Sequence, residues 1–226
     1  MFTRHTLAVR DRAQGNQRDR LSARRVVRLH STITTVAPLS CEQLKDFFLK
    51  LRGYSGPRTT YLAIRLVLYT FMRVSEMRHG KWEEMKLDDA LWDIPADRSK
   101  SKRRHLVPLS IQAIGALREL HKITGSSENM FPDLRLPQDV MNETSFRQAM
   151  RQLDMPFGGY VFRATALKYL REMGVDGRLL EIQLGHAEED KLKRINCAAD
   201  MRERRKLMQQ WANWLDTLEV EAVEGE

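Results

Sequence analysis

The sequence lacks the features of a disulfide-stabilised, zinc-binding or membrane protein. Only two of its 226 residues are cysteines, Cys41 and Cys197, and no paired Cys/His spacing predicts a zinc site. The longest apolar stretch, Tyr61 to Met72, is interrupted by Arg65 and is shorter than the roughly 20 residues that a membrane-spanning helix needs. The N-terminus has no apolar core of the kind found in signal peptides. These absences predict a cytoplasmic protein with neither a metal nor another cofactor.

Positive charge is in excess, and it is concentrated near one end of the chain. The sequence has 38 Lys and Arg against 30 Asp and Glu, and residues 1–35 contain eight arginines but only two acids. That segment has little apolar periodicity, which predicts a basic, flexible arm. Residues 216–226 contain five acids and no base, and residues 219–226 are predicted to form an acidic tail. A basic folded surface often binds a polyanion such as nucleic acid, although the same charges also fit an ordinary solvated surface.

Apolar periodicity over residues 40–218 predicts one mainly helical domain with a small antiparallel β-sheet, an α+β fold. Ser40 and Gln43 have the spacing of a capping box ahead of a helix that stops at Gly53. Further helices are predicted over residues 58–72, 110–123, 142–153, 161–173 and 176–185. Residues 91–94 and 105–109 have strand character, and the basic segment 98–104 would join them as a hairpin.

A last helix is predicted to be capped by Asp200, because Glu203 follows it at the spacing of a second capping box. One face of this helix is apolar and consists of Leu207, Met208, Trp211, Trp214, Leu215 and Leu218. Such a stripe at helical spacing is more often packed in a core than used to stack on bases. Both tryptophans are therefore predicted to be buried.

Four short motifs follow one another along the predicted domain. Arg73-Val-Ser-Glu76 follows an apolar helix, Lys100 lies in the basic hairpin, Tyr160-Val-Phe-Arg163 opens a helix, and Leu184-Gly-His186 ends another. In this order they resemble the catalytic domain of the tyrosine recombinases, the phage integrase family. Longer segments are similar to the integrases of prophages and genomic islands: residues 92–98, 105–110, 181–186 and 204–212. The resemblance covers about residues 40–218.

The resemblance implies DNA cleavage by a tyrosine that forms a covalent 3′-phosphotyrosyl link. Arg73 and Arg163 match the two arginines that bind the phosphate, since guanidinium groups fit phosphate oxygens in a bidentate manner. Lys100, or Lys102 if the register slips, matches the general acid that protonates the departing 5′-oxygen. His186 matches a further hydrogen-bond donor to the phosphate. The chemistry requires no metal, because the arginines neutralise the developing charge.

The basic hairpin is expected to contact DNA more broadly. The residues predicted to do so are Arg98, Lys100, Lys102, Arg103 and Arg104. Glu76, in contrast, is expected to orient its neighbours rather than to touch DNA.

Three departures from the family pattern bear on activity. Tyr160 stands where most members have a histidine. Ile195 occupies the position of the nucleophile, nine residues beyond His186, and no tyrosine follows Tyr169. Isoleucine has no nucleophilic atom. Finally, residues 1–35 are too few for the family's separate N-terminal helical domain, which clamps the far side of the DNA.

Two interpretations therefore compete. In the first, the chain is a DNA-binding recombinase homologue of a mobile element that does not cleave DNA by itself. In the second, it is an active site-specific recombinase whose nucleophile is Tyr160 or Tyr169, or a tyrosine supplied in trans. Expected partners are attachment-site-like duplex DNA and an active integrase or further copies of this chain, with no membrane. A protein-interaction role of the C-terminal helix is a third alternative.

Overall fold

The computed structural model describes residues 36–99, 102–155, 158–185 and 198–225. Lys100, His186 and Ile195, as well as the predicted arm over residues 1–35, lie outside the described residues. The helices within them are α1 (Cys41–Arg52), α2 (Arg58–Thr70), α3 (Val74–Arg78), α4 (Ile111–Thr124), α5 (Glu143–Gln152), α6 (Tyr160–Glu172), α7 (Gly177–Gln183) and α8 (Ala198–Glu224). None of these helices is long and apolar enough to cross a membrane.

A small antiparallel sheet lies between α3 and α4. Its strands are β1 (Met85–Lys86), β2 (Leu91–Ile94) and β3 (His105–Pro108), hydrogen-bonded in that order. Trp92 pairs with both Met85 and Val107, and Ile94 pairs with His105. Trp92, Ile94, Val107 and His105 are all buried, so one face of the sheet packs on the core. The predicted mainly helical fold with a small antiparallel sheet is confirmed, and β1 is an addition to it.

The long helix α8 packs across α1 and α2 and completes the hydrophobic core. Trp211 is fully buried, and its indole Nε1 donates to the Leu68 carbonyl at 2.9 Å. Trp214 stacks on Trp211 with ring centroids 5.1 Å apart and lies 4.4 Å from the ring centroid of Tyr169. The predicted apolar stripe is thus a packing surface, and the aromatic rings within it hold α8 to α2 and α6.

Local sequence signals placed most helix starts correctly. Ser40 and Gln43 form the predicted capping box of α1, and the Ser110 hydroxyl accepts from the Ala113 amide at the start of α4. The prediction for Asp200 was wrong. It lies in the first turn of α8, and its carboxylate pairs with Arg178 at 2.8 Å.

Glu219, Glu221 and Glu224 are part of α8, because the helix continues through the predicted boundary at Leu218 to Glu224. Glu219 pairs with Arg65 of α2 at 2.6 Å, and Glu221 pairs with Lys45 of α1 at 2.8 Å. The side chain of Arg65 is 14% exposed, whereas that of Lys45 is 36% exposed. The acids therefore fasten the end of α8 to the helices beneath it.

These two ion pairs predict different effects on stability. Glu219→Gln should lower the free energy of unfolding by about 1–2 kcal/mol, because Arg65 would remain largely buried without its carboxylate. Glu221→Gln should change it by less than about 0.5 kcal/mol, since both partners are solvated. Urea denaturation of the two variants measures both values. Equal losses would contradict the difference in burial.

Candidate functional site

The position of Arg73 depends on an abrupt change of chain direction after α2. Phe71 adopts a left-handed conformation with φ of 38°. The chain then enters α3, and Arg73 is the N-cap residue of this helix. The buried carboxylate of Glu76 accepts from the Arg73 backbone amide at 3.4 Å and from its guanidinium Nη1 at 3.1 Å. Glu76 therefore orients Arg73, which agrees with its expected role and leaves the rest of the guanidinium fork for another acceptor.

Arg163 reaches the same place from α6. Its side chain is buried, with Nη1 donating to the Phe71 carbonyl at 2.7 Å and Nη2 donating to the Leu184 carbonyl at 2.9 Å. Burial, and then the positive charge of Arg73, lower the pKa of Arg163 to about 10. Arg163 is thus still a cation at neutral pH. Two guanidinium groups that destabilise one another's charge favour an anion between them.

Gly185 allows the end of α7 to approach both Arg73 and β3 closely. It has φ of 70°, in the left-handed region that favours glycine. A Cβ atom at this position would lie 3.6 Å from the His105 ring and 3.7 Å from Arg73 Nη1. The ends of α2 and α7 and the start of β3 therefore converge at one point, with Arg73 and Arg163 beside it.

His105 and Arg204 complete this cluster, and the sequence motifs gave no role to either. Arg204 is buried and donates to the Gln183 side-chain oxygen at 2.8 Å and to the Leu106 carbonyl. His105 is buried, and its Nε2 has no hydrogen-bond partner among the described residues. Burial, followed by the charges of Arg204, Arg163 and Arg73, lowers the pKa of His105 to about 3, although a hydrogen bond with the Gln183 backbone opposes the shift.

A sequence signal for His105 did exist. In a β-strand, residues two apart face the same way, so His105 shares the face of Val107. Val107 belongs to the core face of the predicted strand, which places a histidine on an apolar face next to a run of arginines.

The two tyrosines considered as substitute nucleophiles occupy different environments. Tyr160 opens α6, is 60% exposed, and lies close enough to Arg163 to influence its charge. The Tyr169 hydroxyl accepts from Cys41 Sγ at 3.5 Å, and its ring packs on Trp214. Burial is the main cause that raises the pKa of Tyr169 to about 12. Tyr169 therefore lies against α8 with a hydroxyl that is hard to ionise, and only Tyr160 is near the arginine pair.

The hairpin arginines are not equivalent. Arg98 is largely buried, and its guanidinium donates to Glu84 and to the Glu76 carbonyl, so the prediction of a DNA contact for Arg98 is at odds with its position. Arg104 is 62% exposed and forms a bidentate pair with Asp93 at 2.6 and 2.5 Å, which lowers the pKa of Asp93 to about 2. Lys102 is exposed and Arg103 is half-buried. Over the described ranges, no group of three His, Cys, Asp or Glu is arranged to hold a metal ion.

This architecture is that of the tyrosine recombinase catalytic domain. The XerA recombinase matches with a TM-score of 0.53 at 19% identity, covering 78% of this chain and 66% of that one. The integrase from mycobacterium phage Brujita matches with a TM-score of 0.58 at 15% identity, covering 79% and 58%. The lambda integrase catalytic core matches with a TM-score of 0.51 at 17% identity, covering 66% of this chain and 95% of the core.

Sequence comparison gives the family. The chain belongs to the phage integrase family, which matches residues 39–200. It is 34% identical over 197 residues to the integrase of Enterobacteria phage P4, covering 79% of this chain and 45% of that protein. It is 29% identical over 183 residues to the prophage integrase IntA of Escherichia coli K12, covering 79% and 43%. The chain spans about half the length of the curated relatives it matches. The resemblance to phage and prophage integrases is thereby confirmed.

The buried His105 predicts a specific pH dependence of stability. Its pKa is about 3 in the folded state and about 6.5 when unfolded, so between these values only the unfolded chain takes up the proton. The free energy of unfolding should therefore fall as pH decreases below about 6.5, with a slope of about 1.4 kcal/mol per pH unit from this group.

Urea denaturation between about pH 7.5 and 5 measures that slope, because most carboxylates remain ionised in this range. His105→Gln should lose this part of the slope, whereas the variant of the exposed His121, His121→Gln, should keep it. Parallel curves for wild type and His105→Gln would show that His105 takes up its proton equally in the folded and unfolded states, which would contradict the lowered pKa.

Proposed function

We propose that this chain is a DNA-binding member of the phage integrase family that holds a backbone phosphate with Arg73 and Arg163 but does not cleave DNA by itself. The observation that carries the proposal is the convergence of these two guanidinium groups, contributed by segments 90 residues apart, beside the Gly185 turn. Phosphate oxygens are the acceptors that a pair of fixed guanidinium groups fits best.

The electrostatics of the site support an anionic ligand. Arg73, Arg163 and Arg204 surround His105, which is neutral at physiological pH. A phosphodiester would relieve the repulsion between Arg73 and Arg163, and it would meet donors that are already fixed by Glu76 and by backbone carbonyls. Preorganised donors of this kind need little rearrangement on binding.

Structural neighbours add support for DNA as the ligand. They include a XerH site-specific recombinase bound to its difH substrate and a lambda integrase dimer bound to a COC′ core site. A lambda integrase tetramer bound to a Holliday junction shares the fold as well. We therefore propose duplex DNA resembling an attachment site as the partner of this chain, with an active integrase or further copies of the chain on the same DNA.

The lack of self-cleavage follows from the chemistry of residue 195. Isoleucine cannot attack phosphorus, and no environment can give it a nucleophilic atom. Tyr160 is the remaining tyrosine near Arg163, but it opens α6 at the position of a family histidine, where an auxiliary donor is expected. Occupation of attachment-site DNA, with modulation of an active integrase, is the role that such a protein can perform.

DNA binding should depend on salt and on Arg73. Each phosphate that a cation neutralises contributes about 0.9 to the slope of log K against log salt, so Arg73→Ala should reduce the slope by about 0.9. Fluorescence anisotropy with a labelled duplex at several salt concentrations measures this. The matched control is Arg58→Ala, since Arg58 opens α2 at the opposite end from Arg73 and pairs with Glu119 on the surface. Equal slopes for wild type and Arg73→Ala would remove Arg73 from the interface.

Cleavage is tested with a suicide attachment-site duplex and a denaturing gel. The wild-type chain should form no phosphotyrosyl adduct, and Ile195→Tyr should recover at most a trace of it. The recovery is small because one missing transition-state donor costs about 10²–10³ in rate, and Tyr160 replaces such a donor.

The controls of the cleavage assay identify any substitute nucleophile. A wild-type adduct that disappears in Tyr160→Phe would establish an active recombinase with its nucleophile in α6, and loss in Tyr169→Phe would assign it to Tyr169. A wild-type adduct that survives both substitutions would point to another residue. Any of these adducts overturns the proposal that the chain does not cleave DNA.

A further inference from the structure

Arg98 belongs to the basic run of the hairpin in sequence, but its side chain is directed into the protein. The side chain is 14% exposed. Nε donates to Oε1 of Glu84 and Nη2 donates to Oε2, both at 2.5 Å. Nη1 donates to the Glu76 carbonyl at 2.6 Å. All three nitrogens of the guanidinium group therefore have acceptors within the protein.

Glu84 connects this contact to the core of the sheet. Its carboxylate is 4% exposed and also accepts from the fully buried Trp92 indole at 2.9 Å. If Arg98 were removed, the buried carboxylate would keep its hydrogen bond from the indole but lose its cation. A buried charge without a partner lowers the stability of the folded protein. The Arg98–Glu84 pair is therefore a buried contact at the base of the hairpin, not a surface ion pair.

Glu76 links the hairpin to the phosphate-binding arginine. Its carboxylate holds Arg73 at 3.1 Å, and its carbonyl accepts from Arg98. One residue of α3 is therefore in contact with both guanidinium groups. The position of the hairpin base and the position of Arg73 are set by the same short helix.

We propose that Arg98 is a positioning residue, which fixes the base of the basic hairpin to the helix that carries Arg73, and that it does not contact DNA. The described basic residues of the hairpin, Lys102, Arg103 and Arg104, then extend from a base that is fixed to α3. The proposal rests on the proposed function only for its DNA readout, because the anchoring contact is a property of the free protein.

Arg104 provides a matched comparison on the other arm of the hairpin. It too forms a bidentate pair with a carboxylate, that of Asp93, but its side chain is 62% exposed. An exposed pair contributes little to stability and leaves the guanidinium group accessible to a phosphate. Arg98 and Arg104 thus form the same kind of ion pair, but the side chain of Arg98 is buried and that of Arg104 is exposed.

Hydrogen–deuterium exchange of the free protein tests the anchor directly. In Arg98→Ala, the amides of residues 96–99 and 102–106 should exchange at least about tenfold faster, while those of α1 and α8 stay as in wild type. Arg98→Lys should show the same loss, because one ammonium group cannot replace a planar fork that serves three acceptors. Arg104→Ala should leave hairpin exchange unchanged. Hairpin exchange in both Arg98 variants that equals wild type would overturn the proposal.

If Arg98→Ala fails to fold, Arg98→Lys and Glu84→Gln carry the test. Glu84→Gln keeps the side-chain shape and an acceptor for the Trp92 indole while removing the charge that pairs with Arg98. It should accelerate hairpin exchange as Arg98→Lys does. A Glu84→Gln variant with wild-type hairpin exchange would contradict the anchor.

DNA binding separates positioning from direct contact. Arg98→Ala should weaken binding without changing the slope of log K against log salt, whereas Lys102→Ala should reduce the slope by about 0.9. A slope reduced by about 0.9 in Arg98→Ala, with normal hairpin exchange, would make Arg98 a phosphate contact and overturn the proposal. If the wild-type chain binds no DNA at all, the proposed function fails while the exchange result still decides the role of Arg98.

Discussion

The buried guanidinium group of Arg163 is the interaction on which the site depends. Two of its hydrogen bonds go to the carbonyls of Phe71 and Leu184, which are the C-terminal cap residues of α2 and α7. Helix C-termini carry partial negative charge and unsatisfied carbonyls, which help to stabilise a buried cation, and the charges of Glu76 and Glu181 act in the same direction. By joining the ends of two helices that are distant in sequence, Arg163 creates the concave corner into which Arg73 also reaches. The fold and the anion site share one contact.

The remaining polar groups of the cluster keep its net charge positive without making it unstable. Glu76 offsets Arg73, and Gln183 binds Arg204 with a neutral oxygen. His105 stays neutral chiefly because it is buried, and then because a fourth positive charge would be repelled by three guanidinium groups, so its pKa is lowered. Among the described residues, three guanidinium groups therefore meet in one hydrogen-bonded corner, and a phosphodiester would bring a negative charge to it.

Much of this arrangement was predictable from sequence, since periodicity and capping residues located the helices, and motif order brought Arg73 and Arg163 to one site. The failures have physical reasons. The strand Met85–Lys86 is too short to show alternation. In sequence, Arg98 looks like its basic neighbours, because its burial depends on a pairing with Glu84, which lies fourteen residues earlier and just before β1. The acids after Leu218 resemble a solvated tail in sequence, but Glu219 and Glu221 lie in α8 and pair with Arg65 and Lys45. A run of like charges in the sequence therefore does not show which side chains are exposed, because that depends on the ion-pair partner of each residue in the fold.

Arg163 and Arg73 differ in what their contacts do. Arg163 has a structural reason to be present, because its loss would leave two helix ends without a donor in the core. Arg73 pairs through Nη1 with the carboxylate of Glu76, which is 2% exposed, so replacing Arg73 would leave a buried carboxylate without this cation. A chain with isoleucine at the nucleophile position nevertheless has arginine at position 73, placed beside Arg163 and directed at the Gly185 turn. The proposed binding of a phosphate without cleavage accounts for the placement of both guanidinium groups.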